Sequence, residues 1–239
     1  MSRPSTESAA ETTSARLDAD ATVRLNRHMR DLVDQGVREI VVENPRSRHN
    51  LGVGQHGPVT IRFEGSTGYY TGGLNDGADI VVERNVGWGV GEAQARGSIT
   101  VHGSAALGTG ASMRGGTIVV HGNCGPRTGA GMKGGTLIVV GSVGYLAGFM
   151  THDGDLIVCG DAGEALGDSM WAGRIYVAGS IRGLGADALV VEPDDDDLAR
   201  VHGLLRAQGI DGDFPFKRVK AGEALWYFDK RDPEAWLKV

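Results

Sequence analysis

Glycine in this chain keeps a period of nineteen. Gly103, Gly122, Gly141, Gly160 and Gly179 stand nineteen residues apart; so do Gly72, Gly91, Gly110, Gly129, Gly148 and Gly167, and so do Gly97, Gly116, Gly135, Gly154 and Gly173. Three columns with one period exclude low complexity, which has none, and collagen, which needs glycine at every third residue. The 39 glycines among 239 residues are therefore corners of an ordered repeat.

An alternating run precedes the Gly103 column in each repeat: Ser98 to His102, Thr117 to His121, Thr136 to Val140, Asp155 to Cys159 and Arg174 to Ala178. Similar runs stand at 60–64 and 79–83, and at 38–42 after a three-residue insertion. Two apolar rows follow: Ile61, Ile80, Ile99, Ile118, Leu137, Leu156, Ile175, and Phe63, Val82, Val101, Val120, Val139, Val158, Val177. Alternation with β-branched residues predicts a strand with one buried face. Nineteen residues leave no room for a crossover helix and cannot bury their own apolar face, so neighbouring units must stack. The expected fold is an all-β, right-handed parallel β-helix over 38–192, with about eight coils and a rod roughly 35 Å long. A left-handed hexapeptide helix fits the two-residue alternation poorly.

The flanks read differently. Residues 1–17 are expected to be a disordered tail and 18–37 a leading helix, with Val23, Met29, Leu32 and Val33 on one face. Residues 193–239 are expected to hold a capping helix, opening with Asp194 to Asp197, and an aromatic tail with Phe214, Phe216, Trp226, Tyr227, Phe228 and Trp236.

Charge narrows the function. The 24 Lys and Arg against 30 Asp and Glu give a net −6, which argues against nucleic acid or an anionic membrane as partner. Two cysteines, Cys124 and Cys159, point to a reducing compartment. With no apolar run of about 18 residues and no signal-peptide pattern, a cytoplasmic protein is expected.

Few residues invite chemistry, and no catalytic, cofactor-binding or metal-binding residue is assigned. Gly52 to Gly57 spells a dinucleotide-binding G-x-G-x-x-G, but a strand follows where a helix amino end should hold the pyrophosphate. The column Glu64, Glu83, His102, His121, Val140, Cys159, Ala178 puts Glu83 beside His102, which reads as a solvated outer ladder before it reads as a metal site. Asn44 to Asn50 is polar and basic, an irregular first coil or a contact for a partner or anion; Asp161, Glu164 and Asp168 are expected to face solvent. The outward positions Val119, Ile138, Ile157 and Tyr176 form an apolar stripe where a free rod should be wet. It must be covered by the carboxy-terminal helix and aromatic tail, by another subunit, or by both.

Gly87-Trp88-Gly89-Val90-Gly91, with partial echoes at Gly108-Thr109-Gly110 and Gly129-Ala130-Gly131, resembles the G-x-G-x-G domain at the carboxy-terminal end of the glutamate synthase large subunit. As a separate chain it looks most like the middle subunit of N-methylglutamate synthase; a related free-standing relative is the scaffold subunit of formylmethanofuran dehydrogenase. The resemblance implies a non-catalytic scaffold in a hetero-oligomer, beside a glutamine-amidotransferase subunit and a synthase subunit that binds FMN and an iron–sulfur cluster. The chain itself offers neither the amidotransferase's amino-terminal cysteine nor a cysteine set for a cluster. A homo-oligomeric binding solenoid is the remaining alternative.

Overall fold

The computed structural model describes residues 13–20 and 24–222, and they form a parallel β-helix. Nine parallel strands stack in chain order: β1 (Ser14–Asp18), β2 (Glu39–Glu43), β3 (Thr60–Phe63), β4 (Asp76–Val82), β5 (Arg96–Val101), β6 (Thr117–Val120), β7 (Lys133–Val139), β8 (Asp153–Val158) and β9 (Arg174–Val177). From β3 onward the register advances by nineteen, so Ile61, Ile80, Ile99, Ile118, Leu137, Leu156 and Ile175 are successive partners. All seven are buried, as is the Phe63-to-Val177 row. A second ladder of parallel bridges runs Thr67, Val86, Ala105, Cys124, Val143, Ala162, Ile181 and forms another wall of the same core.

The insertion in the first coil is two residues, not three. Ile40 pairs with Ile61 and Val42 with Phe63; the expected spacing would have turned Ile40 and Val42 outward, because a one-residue slip reverses every side chain of a strand.

Each coil turns through a corner with three left-handed residues in alternation, as in Tyr70, Gly72, Leu74 and again in Leu146, Gly148, Met150. Only the middle one is glycine in every coil, and space is the reason. A Cβ on Gly72 would lie 2.6 Å from Ile99 Cδ1, and one on Gly91 2.4 Å from Ile118 Cδ1. The outer two point away from the core and accept Tyr, Arg, Leu or Met at φ near +60°.

The ends depart from the sequence reading. The expected tail ends in β1, because the open edge of β2 offers unpaired backbone groups and Leu17 and Ala19 find burial there. The leading helix α1 runs Leu25–Asp34, with Leu25, Met29 and Val33 buried; Val23 lies outside the described residues. At the other end, β10 (Ala188–Val191), α2 (Asp195–Ala207) and β11 (Lys217–Ala221) follow. β11 inserts antiparallel between β9 and β10 and ends the parallel stack. Trp226, Tyr227, Phe228 and Trp236 lie outside the described residues.

Candidate interaction surfaces

The outward apolar stripe is closed by the chain's own α2. Val119, Ile138, Ile157 and Tyr176 join Val201, Leu205, Ile210 and Phe216 in a second hydrophobic cluster outside the coil. Helix α2 begins on a capping box in which Asp194 accepts the Asp197 N–H at 2.8 Å while Asp197 accepts that of Asp194 at 3.4 Å. Two polar locks then hold it. Tyr176 Oη donates to Asp197 Oδ1 at 2.7 Å, and Arg218 pairs with Oδ2 at 2.8 Å. Asp155, almost fully buried, receives Arg174 at 2.6 Å and Arg200 of α2 at 2.6 Å. Burial alone would raise the Asp155 carboxyl, but the hydrogen bonds and charges of Arg200 and Arg174 outweigh it and hold the group below the usual carboxylate range.

The polar column beside the stripe is a ladder of pairs. Glu43 and Glu64 share Arg16 at 2.5 and 3.2 Å, Arg62 pairs with Glu83, and His102 lies 4.0 Å from Glu83. His102 and His121 stack at 5.2 Å; partial burial, then the neighbouring His102, pushes the His121 imidazole down. Val140, Cys159 and Ala178, farther along the column, pack on the second cluster. Among the described residues no group of three His, Cys, Asp or Glu side chains could hold a metal ion. Cys124 is buried in the second ladder and Cys159 half-buried, so the two stand apart.

Asn44 to Asn50 is absorbed by the first coil. Arg46 and Arg48 both pair with Asp20 at 2.8 Å, and His49 Nδ1 accepts the Tyr69 N–H at 2.9 Å. Gly52, Gly54 and Gly57 have positive φ and lie in the corner before β3. Of the acidic trio, Asp168 accepts the Ala186 N–H at 3.0 Å and Asp161 accepts that of Ser180 at 2.7 Å, while Glu164 is exposed.

Sequence reasoning passed over the corner face. His49, Tyr69 and Trp88 stack there with centroids 4.2 and 4.9 Å apart. Tyr69, Tyr70, Leu74, Trp88, Tyr145 and Met150 are all exposed on this side. Beside the stack lies a groove of about 650 Å³, bounded by Tyr70 and Trp88 toward the amino-terminal coils and by Phe149 and Met150 toward the carboxy-terminal ones. The signal was available: Tyr69, Trp88, Leu107, Pro126 and Tyr145 are nineteen apart. Such a concentration of exposed aromatic side chains on one face marks a contact surface. Among the described residues no helix is long and apolar enough to cross a membrane.

These features define a class: a parallel β-helix of nineteen-residue coils, closed on one outer face by its own helix and presenting aromatic side chains on a corner. No family model matches the sequence. Protein GlxC of Rhizobium meliloti (strain 1021) is 47% identical over 222 residues, covering 90% of this chain and 97% of that protein. The chain belongs to the GlxC family. A chain in the X-ray structure of the formyltransferase/hydrolase complex from Methylorubrum extorquens, in complex with methylofuran, shares the fold with a TM-score of 0.65 and 24% identity, over 73% of this chain and 68% of that one.

Proposed function

We propose that the chain is a non-catalytic scaffold subunit of a glutamate-synthase-like complex of the N-methylglutamate synthase type. It would pack beside a glutamine-amidotransferase subunit and a synthase subunit, the latter carrying FMN and an iron–sulfur cluster, in the cytoplasm. The observation that carries this reading is the exposed aromatic stack Tyr69–Trp88 and its continuation to Tyr145 on an otherwise regular rod. The G-x-G-x-G corners support it. A stack of nine strands, roughly 40 Å long, is stiff along its axis because every coil is hydrogen-bonded to the next. Such a rod suits holding two enzymes at a fixed separation.

A second reading has the same scaffold serving a formyltransferase-type assembly, and the structural likeness favours it as the runner-up. Co-expression separates the two. With an amidotransferase and an FMN-binding synthase subunit as partners, a stable hetero-oligomer that Trp88→Asp weakens is the expected result. Co-elution with formyltransferase components instead moves the assignment to the runner-up. Robust glutaminase or synthase turnover by the isolated chain, or a homo-oligomer indifferent to either partner set, overturns the scaffold reading.

A further inference from the structure

The corner groove is carved by side-chain size, not by a bend of the backbone. In the column that begins at Tyr70, the following coils place Gly89, Gly108, Arg127 and Leu146, all left-handed. Tyr70, Arg127 and Leu146 show that this backbone accepts a large side chain, and a Cβ on Gly108 would meet nothing closer than 3.9 Å. The neighbouring floor positions Ala111, Ala130 and Gly131 are small as well. Coils with small residues thus lie between Tyr70 and Trp88 at one end and Phe149 and Met150 at the other.

The charge of the groove runs against that of the chain. The chain carries a net −6, yet the groove is lined by Arg127 and Lys133, both exposed, with Ala130 and Gly131 between them in one coil. Neither cation pairs with a carboxylate among the described residues. The one carboxylate of the lining, Glu92, lies two coils away and accepts Tyr70 Oη at 2.9 Å. Arg114, nineteen residues before Lys133, is exposed too and adds to the same sign.

We propose that the groove seats an extended acidic segment of a partner protein, with carboxylates toward Arg127 and Lys133 and an apolar side chain at each end. The source of the segment rests on the scaffold reading above; the kind of segment rests on the groove. Unpaired cations on a small-residue floor complement carboxylates, and Trp88 at one end and Phe149 with Met150 at the other supply surface for apolar anchors. From the coil of Trp88 to that of Phe149 is roughly 14 Å, a span that about five extended residues cover. The 650 Å³ of the groove spread over that length leaves a cross-section of about 45 Å². A helix about 10 Å across needs about 80 Å², so the extended form is the one that fits.

Fluorescence anisotropy with the full-length chain tests it. The probe is a dye-labelled peptide, Leu-Glu-Asp-Glu-Phe, with Leu-Lys-Lys-Lys-Phe and tetraglutamate for comparison. The acidic peptide is expected to bind saturably, the basic one not at all, and tetraglutamate, which lacks apolar ends, more weakly. Arg127→Glu with Lys133→Glu alters two exposed side chains, so this variant should melt like the parent. It is expected to weaken the acidic peptide about tenfold and to take up the basic one. Gly108→Leu fills the floor and leaves the charges in place, with a side chain that Leu146 already carries in the same column; it should weaken the acidic peptide as well. No binding of that peptide to the parent, equal binding of either comparison peptide, or unchanged binding in either variant overturns the proposal. A hetero-oligomer that assembles although the peptide does not bind removes the groove and leaves the scaffold reading. Peptide binding by a chain that assembles with neither partner set does the reverse.

Discussion

The side-chain oxygen of Asn85 accepts the backbone N–H of Ser104, nineteen residues on, at 2.9 Å. Ser104 Oγ does the same for Asn123 at 3.1 Å, Asn123 Oδ1 for Ser142 at 2.8 Å, Ser142 Oγ for Asp161 at 3.0 Å and Asp161 for Ser180 at 2.7 Å. This corner of the rod is therefore stitched coil to coil by short polar side chains. Asp161 is one rung of that ladder, and the backbone and side-chain hydrogen bonds from Ser180 hold its carboxyl below the usual range.

Asn123→Ala removes a rung without touching the core. The expected cost is about 1 kcal/mol, a fall in Tm of about 2–4 °C. Asn123→Asp keeps an acceptor and should melt like the parent at neutral pH. Calorimetry of the two variants checks both.

Ile157 is fully buried beneath α2, so it behaves as a core residue although it points away from the coil interior. Ile157→Ala is expected to cost about 2–5 kcal/mol. Hydrogen exchange should rise first in α2, with β5 to β7 still protected. Uniform loss of protection would mean that the two clusters unfold as one.

The Asp155 pair makes the α2 lock sensitive to acid. Its folded pKa lies below the unfolded value, so the stabilisation is complete above the unfolded pKa of about 4 and disappears as pH falls through the lower folded one. Asp155→Asn should cost roughly 3 kcal/mol at pH 7 and flatten the acid limb of a urea stability profile. A variant profile parallel to the parent's from pH 7 to 3 contradicts this.

Glycines in different columns should respond differently. A Cβ on Gly122 would lie 2.7 Å from the Gly103 carbonyl oxygen in the coil below, so Gly122→Ala must force two coils apart, at about 3 kcal/mol. Gly108→Ala would make only an ordinary contact, 3.9 Å from the Gly89 nitrogen, and carries the strain of its positive φ, about 1 kcal/mol. Denaturant midpoints rank the pair.

Thiol chemistry should report folding. Burial pushes the Cys124 thiol up to about 12 and the Cys159 thiol to about 11, so neither presents appreciable thiolate at pH 8. Alkylation is expected only after unfolding, with Cys159 labelled before Cys124 as α2 detaches. Rapid labelling of the native chain at either position refutes it.

The inward rows were legible in the sequence because burial in a coil follows a strict two-residue alternation and recurs each nineteen residues. Ile99 and Ile118 need no knowledge of the rest of the chain to be placed. The stripe of Val119, Ile138, Ile157 and Tyr176 was equally legible as apolar, and the carboxy-terminal helix was among its expected covers; only the structure chose between that helix and another subunit for the part α2 closes. Val201, Leu204 and Leu205 of α2 stand at helical spacing, yet nothing in that spacing says which wall their face meets. The corner groove escaped notice for another reason. Gly89 and Gly108 look like ordinary turn glycines until the same backbone position is seen to carry Tyr70 and Arg127.

What the sequence by itself determined is the coil: its length, its corners, and which side chains stack inside, because each repeats the same local rule and adds to its neighbour. The tertiary structure alone decided how the rod is finished. The antiparallel entry of β11, the closure of α2 over the outer stripe, and the meeting of Asp155 with Arg200 join residues whose separation in the chain bears no relation to the period. Such contacts depend on where the chain reverses and on which faces then remain open, and a nineteen-residue pattern does not encode that.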